Sequence, residues 1–81
     1  MTRSPKLDHK ETTLKLSARN QLAGTVTSIT KGEAIANVVL DVAGQRLVSS
    51  ITVEALGELG LAEGSQVTAI IKASDVIIAT A

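Results

Sequence analysis

From Leu16 onward apolar and polar residues alternate with a period of two, and short turn signals divide the alternation into segments. Residues 22–30 (LAGTVTSIT) are rich in β-branched side chains and run into Lys31-Gly32, which reads as a turn. Residues 34–42 (AIANVVLDV) form a second strand that ends at Ala43-Gly44. Residues 45–53 (QRLVSSITV) return from that turn with Leu47, Ser49, Ile51 and Val53 on one face. Short glycine-containing connections of this kind favour antiparallel hairpins. Two further strands, 66–72 (QVTAIIK) and 76–80 (VIIAT), are separated by Ala73-Ser74-Asp75.

Only residues 54–59 (EALGEL) have helical character. Thr52 is placed to cap that helix, and Glu54 in its first turn meets the positive end of the helix dipole. Gly60 and Gly64 punctuate the exit. Five short strands with one short helix between the third and fourth predict an all-β fold, a small OB-like β-barrel. Closing a barrel also hides the edges that Val- and Ile-rich strands would otherwise expose. No internal repeat is evident. Residues 1–15 (MTRSPKLDHKETTLK) break the pattern: they are polar, hold the single proline and the single histidine, and read as a flexible arm ahead of one domain over residues 16–81.

Composition changes this picture in three ways. The 81 residues include no Phe, Trp or Tyr, so the core must be built from Val, Ile, Leu and Ala. A small aliphatic core in a short chain gains from subunit association, and a homo-oligomer is expected. Without cysteine, and with one histidine, neither a disulfide framework nor a structural zinc site is expected. Eight basic and eight acidic residues cancel, which removes the electrostatic signature of a nucleic-acid binder. Four of the basic residues fall in residues 1–16; from Ser17 onward the count is four basic to six acidic. No apolar run approaches a membrane span and the N-terminus has no signal-peptide apolar region, so a cytoplasmic protein without a membrane partner is expected.

Three stretches carry a family resemblance. Ser17-Ala18-Arg19-Asn20-Gln21, followed by Gly24 and Val26, resembles the SARNQ-x-x-G-x-[IV] opening of Mop (molbindin) domains. Residues 51–55 (ITVEA), then Leu59-Gly60-Leu61 and Glu63-Gly64, resemble the middle of that family. Residues 67–80 (VTAIIKASDVIIAT) resemble its V-x-A-x-[IF]-K-A-[ST]-x-V-I-[IL]-A ending. Together they cover about 65 residues, from Ser17 to the C-terminus. The resemblance implies a barrel with strands shared between subunits, a hexamer arranged as a trimer of dimers, and sites between subunits for molybdate or tungstate. Similar domains occur on molybdate-responsive transcription regulators and on the ATPase subunits of molybdate importers. This chain shows neither a helix-turn-helix nor a P-loop pattern, so the standalone storage form is the nearer match. The alternatives are a molybdate-sensing domain of a longer regulator or importer ATPase, and an interaction module without a ligand.

Molybdate is a tetrahedral dianion whose oxygens accept hydrogen bonds; binding it calls for convergent donors and positive charge but no acid or base. Arg19 is the first candidate for charge compensation, although apart from the resemblance it reads as an ordinary surface arginine. Ser17 would offer its hydroxyl, with backbone N–H groups from Ala18 and Arg19. Asn20 reads as a turn cap rather than a ligand. Lys72, at the end of a nearly apolar strand, would sit at a barrel rim with its stem packed and its charge toward a site; as an edge gatekeeper against aggregation it would look the same. Ala73 and Ser74 follow in a turn whose N–H groups suit an anion. Thr52 serves equally as a helix cap and as a ligand, and the resemblance favours the ligand. His9, Lys31, Arg46, Glu58 and Glu63 read as solvated.

Two other classes fit poorly. A nucleic-acid-binding OB domain stacks bases on aromatic side chains over a positive groove, and this chain has no aromatic residue and no net charge. An enzyme would need a nucleophile with its base or a paired set of carboxylates; no cysteine, no histidine-centred triad and no such pair is evident.

Overall fold

The computed structural model describes residues 17–81; the arm assigned to residues 1–15, with His9, lies outside them. Four strands, β1 (Asn20–Lys31), β2 (Ile35–Val42), β3 (Gln45–Thr52) and β4 (Gln66–Ile71), form one antiparallel sheet in the order β3-β2-β1-β4. One helix, α1 (Val53–Leu59), connects β3 to β4. The β2–β3 hairpin turns through Ala43 and Gly44, with Val42 facing Gln45. Both turn residues have positive φ, 52° and 84°. Such a turn carries the right-handed twist of the flanking strands straight across the connection.

Period-two alternation sets the faces of the sheet. Val26 of β1 and Ala36, Val38 and Leu40 of β2 point inward and are buried, and Leu56 of α1 covers them. On β3 the half-buried positions are Leu47, Ser49 and Ile51, the face expected from the sequence. One bulge breaks the rhythm of β1: Val26 faces Leu40, but Ser28 faces Val39, so Thr27 is the extra residue. From there Ile29, opposite Val38, takes over the inward face.

The helix begins and ends on side-chain and backbone signals. Thr52 Oγ1 accepts a hydrogen bond from Ala55 N at 3.0 Å, and Glu54 occupies the first turn, as the sequence predicts. Gly60 closes the helix in a left-handed conformation, and Leu61 N donates to Leu56 O at 3.3 Å, a Schellman-type ending. The loop that follows is pinned to β1: Val26 N donates to Ser65 O at 2.9 Å and Gly64 N donates to Val26 O at 2.8 Å.

The all-β fold with one short helix between the third and fourth strands is as expected. Within one chain it is a four-stranded sheet that does not close into a barrel, and the fifth expected strand stays unpaired. Residues 76–80 have strand-forming composition, but they pair with no strand among the described residues, and Ile77 and Ile78 are 91% and 81% exposed. A strand needs an unpaired edge within reach as well as β-branched residues. Here a single 3-10 turn, Ala73–Asp75, joins the segment to β4. The curled sheet therefore stays open between its two edge strands, β3 and β4. Between them lies an apolar groove of about 790 Å³, lined among others by Leu40, Leu47, Val67 and Ala69.

Candidate functional site

The register of β1 on β4 gathers six of the seven candidate ligands. Asn20, the first residue of β1, faces Ile71, the last residue of β4. Ser17, Ala18 and Arg19 lead into the one strand while Lys72, Ala73 and Ser74 leave the other, so the two segments flank the same rung at one end of the sheet. Ser17, Arg19, Lys72, Ala73 and Ser74 are exposed, and Ala18 is half-buried. Alternation on an antiparallel pair thus brings together residues more than fifty positions apart in sequence.

Backbone geometry at this end favours an acceptor with negative charge. In the 3-10 turn Asp75 N donates to Lys72 O at 2.9 Å and Val76 N to Ala73 O at 3.2 Å. The N–H groups of Ala73 and Ser74, first in that turn, have no acceptor within it, as at the start of any helix. Two cationic side chains, a serine hydroxyl on each segment and these free N–H groups form a donor set with one intrinsic opponent, the Asp75 carboxylate. The inventory at this end is hydrogen-bond donors and positive charge, the groups that an oxyanion accepts from.

Thr52 is not brought to this end. It closes β3 opposite Ile35, the first residue of β2, and β2 in turn begins opposite the far end of β1, where Ala36 faces Lys31. The twelve residues of β1, at roughly 3.3 Å each, separate it from Arg19. Its oxygen already accepts from Ala55 N, and the hydroxyl retains one proton to donate.

Asn20 differs from its expected role. It caps no turn; it belongs to β1, and its side-chain Nδ2 donates to the Ile71 carbonyl at 3.1 Å. The strand runs two residues ahead of Leu22, where the sequence pattern starts it, and the even-numbered spacing puts Asn20 on the face of Gly24 and Val26. Lys31, Arg46, Glu58 and Glu63 are exposed, as expected. Among the described residues no cluster of His, Cys, Asp or Glu is arranged to hold a metal ion, and no helix is long and apolar enough to cross a membrane.

Known proteins share both the sequence and the fold. The TOBE domain family matches residues 16–78. The molybdenum-pterin-binding protein 1 of Clostridium pasteurianum is 46% identical over 66 residues, covering 80% of this chain and 97% of that protein. A molybdate-binding protein from Sporomusa ovata superimposes with a TM-score of 0.79 at 39% identity, covering 83% of this chain and all of that one. The cytoplasmic molybdate-binding protein ModG, solved with molybdate bound, gives a TM-score of 0.75 at 48% identity over 79% of this chain and 46% of its own. These relatives are binding proteins rather than enzymes. With a matching family profile over most of its length and relatives of the same size, this chain belongs to the TOBE domain family and, within it, to the Mop-type molybdenum-binding proteins.

Proposed function

We propose that this protein binds molybdate or tungstate and stores it in the cytoplasm, in sites formed between subunits of a homo-oligomer. The observation that carries this reading is the shared rung of Asn20 and Ile71, which sets Ser17, Ala18 and Arg19 beside Lys72, Ala73 and Ser74. Arg19 and Lys72 offset the charge of the dianion, and the hydroxyls of Ser17 and Ser74 and the backbone N–H groups donate to its oxygens. Thr52, at the other end of β1, joins such a site only from a second subunit. No step of this chemistry needs a general base or a nucleophile, so the protein is a carrier rather than a catalyst.

Two features support assembly. The buried core within one chain consists of Val26, Ala36, Val38, Leu40 and Leu56, a small core for independent stability. The sheet also keeps two unpaired edges and an open apolar groove while residues 76–80 project unpaired. A strand supplied by a second copy would close the groove, and a hexamer built as a trimer of dimers is the arrangement that the resemblance implies. The ligand is the free oxyanion, whose oxygens suit the hydroxyl, ammonium, guanidinium and backbone donors at this end of the sheet.

Isothermal titration with molybdate, with sulfate as the control, tests the proposal on protein whose mass in solution is known. Saturable heat that persists in excess sulfate, with a whole number of ions per oligomer, is expected. A folded oligomer that takes up no molybdate would overturn it.

A further inference from the structure

The geometry points to Asn20 as the positioning residue of the oxyanion site, acting through Lys72 rather than on the anion; this rests on the reading of the site given above. Asn20 stands immediately after Arg19, and its side chain reaches across the sheet to the carbonyl of Ile71, the residue immediately before Lys72. The Ile71–Lys72 peptide is planar and trans, so the direction of the Ile71 carbonyl fixes the opposite direction of the Lys72 N–H. A single amide–carbonyl bond of 3.1 Å thereby sets the angle at which the Lys72–Ser74 segment leaves β4. No further strand pairing holds that segment, since β4 ends at Ile71. The same residue is joined covalently to Arg19. Among the described residues, Asn20 is thus the one side chain that ties both halves of the donor set to a common rung. A backbone rung alone holds the strands together but leaves the last peptide free to pivot, and fraying is greatest at the ends of elements. The half-buried amide needs no contact with the ligand to affect affinity.

A double-mutant cycle tests this, with molybdate titration of the full-length oligomer as the readout. Asn20→Ala is expected to leave mass and circular dichroism unchanged, to weaken molybdate binding roughly two- to tenfold, and to speed hydrogen exchange at the Ala73 and Ser74 amides. In a Lys72→Ala background the same change is expected to cost little, because the group it orients is gone. Asn20→Gln, which keeps the donor, is expected to recover part of the affinity. If Asn20→Ala does not assemble, Asn20→Leu, of similar size and without a donor, takes its place in the cycle. Undiminished affinity without the donor, or equal losses in the wild-type and Lys72→Ala backgrounds, would overturn the role of Asn20 alone. Wild-type protein that binds no molybdate would overturn the function and the role together.

Discussion

Gly24 and Val42 face each other on β1 and β2 so closely that an added methyl group would crowd the Val42 side chain. A Cβ on Gly24 would lie 3.0 Å from Val42 Cγ2 and 3.1 Å from the carbonyl oxygen of Asp41. Glycine is found in strand interiors where another backbone approaches this closely. Gly24 is buried on the inward face of β1, next to the core residue Val26. Gly24→Ala is therefore expected to lower stability by about 1–3 kcal/mol, the usual range for overpacking, with little direct effect on the distant donors. Thermal unfolding of the variant checks this; an unchanged melting temperature would mean that the two strands separate without cost.

Arg19→Ala and Lys72→Ala are expected to weaken molybdate binding while leaving the sheet folded. Each removes a charge-assisted hydrogen bond worth roughly 1.5–3 kcal/mol, or about ten- to a hundredfold in affinity. Both side chains are exposed, so neither supports the core. Titration of each variant beside its far-ultraviolet spectrum separates loss of binding from loss of structure.

Thr52 carries a structural duty that Arg19 and Lys72 do not. Thr52→Ala removes the cap on Ala55 N and is expected to destabilise the protein by about 1 kcal/mol. Thr52→Ser retains both the cap and the hydroxyl proton and is expected to keep stability near that of wild type. If Thr52 also reaches an anion in a neighbouring subunit, the alanine variant loses molybdate affinity and the serine variant keeps it. Measuring melting temperature and affinity on the same two variants tells cap from ligand.

Removing residues 77–81 is expected to reduce the oligomer to smaller species and to lower its melting temperature. Ile77 and Ile78 contribute nothing to the core of their own chain, so a change in mass measured by light scattering would report on contacts with another copy. An unchanged mass would remove this segment from the interface.

Local signals made most of the fold legible in the sequence. The two-residue turn at Ala43-Gly44, the Thr52 cap and the Gly60 exit each depend on a few neighbouring residues, and each is found where the pattern puts it. The fifth strand was not legible, because a strand is a pairing, and the exposed residues 76–80 have no partner strand in their own chain. Asn20 was misread for a related reason: asparagine is a common turn residue, and only the register of β1 on β4 shows that its side chain reaches Ile71. The six donors at one end of the sheet came from the family resemblance. Their proximity, and the separation of Thr52 from them, emerged only with the strand register.

The extra residue at Thr27 reverses the parity of β1 partway along its length. Below the bulge the even-numbered positions Gly24 and Val26 point inward, and beyond it the odd-numbered Ile29 does so. A chain lacking Thr27 would have unbroken alternation and would look like a better strand on paper. It would keep Val26 opposite Leu40 and Ile29 opposite Val38, both inward, whereas a residue lost or added elsewhere in β1 would turn one part of the strand over. The connection between Gly60 and Ser65 carries no such parity of its own, but its hydrogen bonds to Val26 fix it to the same stretch of β1.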